Sequence, residues 1–459
     1  MDTLTGKRLV ILGLARQGKA LAQYAAGAGA RVVVSDLRPA DKLAADMAEL
    51  SDLEIEYVLG EHPMSLLDKA DVLAISGSVP VDAPLVRAAR EKGVVVTNDS
   101  QEFMRRTPAA VIAITGSAGK STTTALTGIM GQMAGRQTGV GGNIGRPLIA
   151  DLHKMTAGDM VVQELSSFQL EIWQQSPHVA AVLNITPNHL DRHRTMRAYK
   201  EAKANILRFQ SEQDVAVLAA DDPGAMSLSP LVNGRLRLFS GQRVVEDGAF
   251  VRNEQIWLRD GNGREECVCA LSDIQLRGGH NVLNVLAAVT LADSVEIPVA
   301  AMRKAIASFS GIEHRLEVVR TLNGVQYVND SIATAPERAL AALASFTEPL
   351  ILLAGGRDKD MEWQAWTEQV LRRVKQVVLF GELGEMLAER LTQQPCLPGL
   401  AAYLTQVTRV ETMAEAVEVV RETAVAGDVV LLSPGGTSFD AFKDFAERGE
   451  RFRELVSLL

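Results

Sequence analysis

The segment Ala113-Ile-Thr-Gly-Ser-Ala-Gly-Lys-Ser-Thr-Thr-Thr124 constrains this chain more than any other. The apolar run Ala109–Thr115 predicts a strand, which stops at a glycine-containing loop before Lys120, Ser121 and a helix-compatible stretch. Polyphosphate needs this arrangement. Loop amides and a helix N-terminus direct partial positive charge at an anion, lysine reaches the terminal phosphates, and a hydroxyl ligates Mg²⁺. The match to GxxxxGK[ST] is incomplete, because Ile114 stands where the first glycine belongs. An ordinary glycine-rich strand–helix turn is the competing reading, and the strand context favours a nucleoside triphosphate.

The 459 residues suffice for about three domains, each with its own core. A hydrophobic share of 47% with 22% charged residues fits an ordinary globular protein. The 47 basic and 56 acidic residues give −9, which argues against a surface that coats nucleic acid. Anionic substrates remain open, since local amides, lysine and Mg²⁺ decide those. Cys267, Cys269 and Cys396 show no zinc or redox spacing and read as buried or incidental thiols. The N-terminal run Leu9–Leu14 is too short for a signal segment, and no stretch approaches the roughly 18 apolar residues of a membrane span. A cytoplasmic protein with no membrane insertion is expected.

Strands and helices alternate along the chain, which predicts an α/β fold with mostly parallel sheets. Leu9–Leu14 is a strand, Gln17–Ala28 a helix, and Arg31–Ser35 a second strand ending at Asp36. That is a Rossmann-type half, yet Gly13-Leu-Ala-Arg-Gln-Gly18 lacks the middle glycine that lets backbone approach a pyrophosphate. Arg16 stands in the loop, which suits a nucleotide sugar or modified nucleotide better than NAD. A purely structural βαβ turn stays open. A second unit begins near Thr107-Pro108, with strands at Met160–Glu164, Val179–Ile185 and Asp214–Ala219 and a helix over Asn281–Ala292. A third starts near Gly311, where Leu316–Arg320 and Gln326–Asn329 flank the hairpin signal Asn323-Gly324. Strands at Leu350–Ala354, Gln376–Phe380 and Val429–Ser433 follow. The expected domains are 1–108, 109–311 and 312–459: Rossmann-like, P-loop ATPase-type and again Rossmann-like.

Glu164 ends a strand beside the phosphate loop, where a carboxylate can hold Mg²⁺ directly or through water; a helix-capping acid is the plainer use. His189 and His193 are four apart, but Leu190 stands where an HExxH site needs glutamate, and Pro187 makes the preceding segment a turn. A zinc hydrolase is therefore disfavoured. One histidine at a magnesium or phosphate site, or a surface histidine, remains. Tyr199-Lys-Glu-Ala-Lys-Ala-Asn205 reads as a helix whose charges, Lys203 among them, form a solvated face. Gly279–Asn284, Glu313-His-Arg315 and Asn329-Asp-Ser331 offer amide, guanidinium and carboxylate groups for an adenine edge, a phosphate and ribose hydroxyls.

Together these segments resemble the Mur ligases, ATP-dependent amide ligases of peptidoglycan synthesis, most of all the glutamate-adding branch. The motifs are Thr115–Thr122, Gly142-Asn-Ile-Gly145, Glu164–Glu171, Asn184–His193, His280-Asn281, His314-Arg315, Asn329-Asp-Ser331, and Ser433-Pro434 with Ser438-Phe-Asp440. They span the chain in the family's order.

The resemblance implies a three-domain, ADP-forming, Mg²⁺-dependent enzyme that joins D-glutamate to UDP-N-acetylmuramoyl-L-alanine through an acyl phosphate and acts as a monomer. It places Gly13, Ala15, Arg16, Asp36 and Arg38 at the UDP part of the acceptor, with Ser166 and Gln169 also on the substrate side. ATP falls to Thr115, Gly116, Ser117, Ala118, Gly119, Lys120, Ser121 and Thr122, with Asn143, Asn281, Asn284, Arg315 and Asp330. Lys120 would hold the β/γ-phosphates, Arg315 the γ-phosphate and Asp330 the ribose. Ser121 and Glu164 would surround one Mg²⁺, and His189 and Lys203, the latter as a carbamate, a second. Lys120, His189, Lys203 and Arg315 form the implied catalytic set. Lys359, Ser438 and Phe445 fall where the family holds glutamate. Closure about linkers near Pro108 and Gly311 would precede chemistry.

Four departures bear on specificity. Ala118 replaces an asparagine, Ser76-Gly-Ser78 a Ser-Pro-Gly turn, Ile332 a lysine, and Gly435-Gly-Thr437 an alanine/cysteine-rich stretch. The last two leave the glutamate's configuration open. Alternatives within the class are L-glutamate addition and a folylpolyglutamate synthase-like activity. Outside it stand a nicotinamide-dependent oxidoreductase and a non-catalytic nucleotide switch.

Overall fold

The computed structural model describes residues 4–359, 361–393 and 403–459, without the side chains of Leu190 and Asp191. Cys396 lies outside the described residues. The chain forms two compact units, one of Met1–Gln275 with Gly279–Phe309, the other of Leu276–Gly278 with Ser310–Leu459.

The first unit carries two sheets. Strands β1 (Arg8–Leu12), β2 (Arg31–Asp36), β3 (Ile55–Leu59), β4 (Val72–Ile75) and β5 (Val95–Thr97) pair in the order β3-β2-β1-β4-β5. All the pairings are parallel. Apolar runs such as Leu9-Val-Ile-Leu12 are what a sheet covered on both faces requires. Val10, Leu12, Val33, Leu73 and Ile75 pack with Leu85 and Val86 of the helix Pro84–Glu91. The strand order reverses between β1 and β4, so a crevice opens beyond their C-terminal ends.

The second sheet holds β6 (Ala110–Thr115), β7 (Thr138–Gly142), β8 (Met160–Glu164), β9 (Val179–Val182), β10 (Val215–Ala219), β11 (Arg235–Ser240), β12 (Gly248–Arg252), β13 (Gln255–Arg259) and β14 (Glu265–Ala270). Their order is β14-β13-β12-β11-β10-β9-β6-β8-β7. The phosphate-loop strand β6 is thus central, between β8 and β9, and all three end on the same edge. Sequence reading missed β7 because Thr-Gly-Val-Gly-Gly looks like a loop. It also missed β11 and the antiparallel ribbon β12–β14. There Arg252 lies 4.3 Å over the Trp257 ring and Glu265 pairs with Arg252 and Arg259, so charge hides a packed face. Cys269 is buried on this ribbon and Cys267 partly so.

The second unit has one sheet: β15 (Glu317–Leu322), β16 (Val325–Asn329), β17 (Leu350–Gly355), β18 (Val374–Phe380), β19 (Gln406–Arg409) and β20 (Val429–Gly435), ordered β15-β16-β20-β17-β18-β19. The expected hairpin is present. Leu322 faces Val325 across Asn323 and Gly324, both left-handed at φ 52° and 78°, as a tight two-residue turn demands. Alternate residues feed opposite cores, Leu350, Leu352 and Leu431 on one face, Ile351, Leu353 and Val430 on the other.

Candidate active site

Strand β6 ends at Thr115, and the helix Lys120–Met133 starts directly after Gly119. Gly119 has φ 83°, and a side chain there would run into Asn284. Only glycine lets the loop turn this tightly beside that amide. The loop is held from below by the segment after β9. Ser117 N donates to the Asn184 carbonyl at 3.0 Å. The Asn184 side chain receives the Ala118 amide at 2.8 Å and donates to the Ala118 carbonyl at 3.1 Å. Asn184 thereby imitates a strand partner and occupies two middle amides, leaving the helix N-terminus facing outward as the anion-binding end. Sequence reading placed Asn184 in a motif but gave it no role.

Two lysines converge on this loop. Lys120 Nζ donates to the carbonyls of Gly116 at 2.9 Å and Ser117 at 3.3 Å. Lys203 Nζ donates to the same Gly116 carbonyl at 2.8 Å and to Thr115 Oγ1 at 3.3 Å. The expectation of a solvated face for Lys203 is corrected here: its helix, Met196–Arg208, turns Lys203 inward until it is 1 % exposed. Burial, then repulsion from Lys120, hold its ammonium well below the ordinary lysine range, with Glu164 opposing. The ring of buried Tyr199 lies 4.7 Å from Lys203 Nζ, and the Tyr199 hydroxyl is 3.0 Å from Ser117 Oγ.

Glu164 ends β8 and is 1 % exposed. Its Oε1 accepts from Asn143 Nδ2 at 2.8 Å, while Oε2 is buried with no hydrogen-bond partner. A buried carboxylate oxygen left unpaired is costly, and a cation answers that cost. Ser121 sits in the first turn of the phosphate-loop helix. His189 has φ 53° and sets its ring against Phe168 and Tyr199 at centroid distances of 5.0 and 6.5 Å. His193 is instead buried, bonded to Ser167 Oγ at 2.9 Å and 3.2 Å from Glu171. Asn284 donates to Asn281 at 2.9 Å, both on the helix Gly279–Asp293. Among the described residues, no three His, Cys, Asp or Glu side chains gather as a metal cluster. A cation here would rest on mixed ligands: one carboxylate, hydroxyl, imidazole and whatever a ligand brings.

Around the first sheet, the Asp36 carboxylate receives the Leu14 amide at 2.8 Å and the Arg38 amide and guanidinium at 2.9–3.0 Å. Burial opposes its ionisation, but these donors prevail and hold it at about 2. Ala15 caps the helix Arg16–Gly27, and exposed Arg16 donates to the Asn143 carbonyl at 3.1 Å. Ser166 and Gln169 bond reciprocally as a capping box for a short helix.

In the second unit, His314 is buried and its Nδ1 accepts from Asn329 Nδ2 at 3.0 Å, while Arg315 is exposed on the adjoining turn. Asp330 accepts from Ser433 at 2.9 Å and from the Leu316 amide at 3.2 Å. Burial outweighs these donors and pushes Asp330 up to about 7. Ser438 is buried, Phe445 opens the last helix, and Lys359 Nζ lies 5.1 Å over the Phe439 ring. Fully buried Arg448, which sequence reading passed over, donates to Ser331 and Gly436, joining the β16 and β20 ends. Nothing in its local pattern, an Arg within a charged helix, signals this.

Three family models match: the Mur ligase MurD-like N-terminal domain over residues 7–98, the Mur ligase middle domain over 114–292, and the Mur ligase glutamate ligase domain over 314–436. The chain belongs to the Mur ligase family. It is 40% identical over 455 residues to the UDP-N-acetylmuramoylalanine–D-glutamate ligase of Symbiobacterium thermophilum, covering 99% of this chain and 98% of that one. The enzyme of the same name from Acetivibrio thermocellus is 38% identical, with 99% and 97% covered. Among solved structures, UDP-N-acetylmuramate-alanine ligase from Thermotoga maritima aligns with TM-score 0.58 at 20% identity over 98% of this chain and 99% of its own. The ADP complex of the MurF ligase from that organism gives 0.54 at 17%, covering 100% of each. At such identities these two speak for the fold alone.

Proposed function

We propose that this chain is the ATP-dependent ligase that adds D-glutamate to UDP-N-acetylmuramoyl-L-alanine in peptidoglycan precursor synthesis. The full-length 38–40% identity to ligases of that name carries the reading. The acceptor carboxylate attacks the γ-phosphorus of ATP, and ADP leaves. The resulting acyl phosphate meets the glutamate amine, whose attack gives a tetrahedral intermediate that expels phosphate and a proton.

The anion-binding end of the helix Lys120–Met133 receives the triphosphate, and Lys120 steadies charge on the transferring phosphoryl group. Asn143, Asn281 and Asn284 flank the nucleotide. Arg315 is assigned to the γ-phosphate and Asp330 to the ribose. The first sheet's loops, with Arg16, Asp36 and Arg38, take the UDP part, and Lys359, Ser438 and Phe445 the glutamate. Ser121, the unpartnered Oε2 of Glu164 and His189 are the groups that would hold Mg²⁺. Bound there, Mg²⁺ would neutralise charge on the transferring phosphoryl oxygens. Lys203 joins this set as a carbamate, formed when its amine adds carbon dioxide and sheds a proton; burial, which favours the neutral amine, supports that assignment. Domain limits at 1–108, 109–311 and 312–459, a cytoplasmic location and a monomeric state complete the reading. No described helix is long and apolar enough to cross a membrane.

Acceptor labelled with ¹⁸O in its carboxylate tests the mechanism. One labelled oxygen should appear in the released phosphate, only when D-glutamate and ATP are both present. Unlabelled phosphate would exclude the acyl phosphate.

A further inference from the structure

Two loops of the first sheet border the crevice where its strand order reverses: the one after β1, starting at Gly13, and the turn Ser76–Val79 after β4. They touch, since a Cβ at Gly13 would stand 2.7 Å from Ser76 Oγ. The turn has little stiffness of its own. Its Val79 amide donates to the Ser76 carbonyl at 3.0 Å, the two serine hydroxyls pair at 3.1 Å, and Gly77 between them carries no side chain. Glycine in the middle of a turn leaves the backbone its widest freedom.

Restraint comes instead from Arg192, on the one-turn helix Leu190–His193 that follows β9 of the second sheet. Its Nη1 donates to the Gly77 and Ser78 carbonyls, both at 3.1 Å, and Nη2 to the Val79 carbonyl at 2.8 Å. The guanidinium lies 5.0 Å from the Phe168 ring centroid, and Glu171 stands 3.8 Å from Nη2. A rigid planar fork holds three successive carbonyls in fixed geometry, whereas a lysine ammonium is a point charge on a flexible stem.

We propose that Arg192 is a positioning residue for the acceptor: by clamping the carbonyls of Gly77, Ser78 and Val79 it fixes one wall of the crevice in the first sheet. The clamp also ties that wall to the segment bearing His189, three residues earlier in the chain. Assignment of the crevice to the UDP-bearing acceptor rests on the function proposed above; the clamp itself rests on the three hydrogen bonds.

The full-length chain, Arg192→Lys and the double variant Arg192→Lys/Gly77→Ala provide the test. Gly77 is not left-handed, and a Cβ there would meet only Phe168 Cβ at 3.7 Å, so alanine fits and stiffens the turn. In Arg192→Lys, amide exchange across residues 77–79 should quicken by about tenfold or more, and KM for UDP-N-acetylmuramoyl-L-alanine should rise roughly tenfold, the scale of a lost charge-assisted contact. KM for ATP and the Tm should stay near wild type, and Gly77→Ala should recover part of the acceptor KM. Unchanged exchange at 77–79 would overturn the clamp. So would an acceptor KM that moves only in step with the ATP KM and Tm, the mark of general loosening. Should the wild-type chain fail to use this acceptor, the assigned substrate falls, and the exchange measurement still decides the clamp.

Discussion

Two strand–loop–helix turns of the first unit share a backbone plan and differ in what surrounds them. After β1, the loop from Gly13 to Ala15 spends its Leu14 amide on the Asp36 carboxylate, which Arg38 also covers. After β6, the loop from Gly116 to Gly119 has its middle amides taken by Asn184, but its helix N-terminus faces two lysines and a carboxylate oxygen without a partner. One turn has satisfied its charges internally; beside the other, a buried carboxylate oxygen of Glu164 stands without a hydrogen-bond partner. Topology supplies two crevices, and the placement of unpaired charge separates a binding surface from a reaction centre.

The largest effect that could break this contrast lies at Lys203. Lys203→Ala should cost about 10³-fold in turnover, at the upper end for a group at a charged centre, with partial recovery in short carboxylic acids. Strong activity without such additives would remove Lys203 from the chemistry. Next stands the pairing of Lys120→Ala with Arg16→Ala. The first should lower kcat on the order of 10²–10³-fold with the Tm kept; the second should raise the acceptor KM and leave kcat nearly alone. Equal kcat losses in both would erase the distinction between the loops. In the second unit, truncating Lys359 should raise the glutamate KM about ten- to a hundredfold, as loss of a charge-assisted contact of roughly 1.5–3 kcal/mol implies. ATP KM is the control.

Smallest, and in stability rather than rate, are two opposed pH effects. Asp36, held at about 2 against an ordinary 3.8, favours the folded state above pH 4, and that contribution is lost as the pH falls toward 2. Asp330, raised to about 7, keeps a proton that the unfolded chain has released. Its contribution is full below the ordinary carboxylate value and is lost as the pH rises through about 7. Tm profiles should therefore flatten between pH 2 and 4 in Asp36→Asn and between pH 4 and 7 in Asp330→Asn.

The parts of this site that were legible in the sequence are those fixed by near neighbours. Residues 113–124 spell their own strand, loop and helix, and Glu164 follows four buried residues of its strand, so both could be read at once. Asn323-Gly324 likewise dictates its hairpin. Lys203 was misread because helical periodicity shows which side chains share a face, while burial depends on β6, 88 residues away at Thr115. The pairing of Asn184 with Ala118 spans 66 residues and the grip of Arg192 on Gly77 spans 115. No local pattern encodes such contacts. The family likeness named Lys203, whose burial follows from contacts with Thr115 and Gly116 that no local pattern shows.

In the proposed reaction, the charged groups around the loop after β6 activate the acceptor carboxylate for D-glutamate. Parallel reactions with ATP, Mg²⁺, UDP-N-acetylmuramoyl-L-alanine and either D- or L-glutamate, followed by product mass, test it most directly. One added glutamate residue with stoichiometric ADP and phosphate is expected in the D-glutamate reaction, and little product with L-glutamate. Efficient product formation with L-glutamate, or ADP release without any adduct, would contradict it.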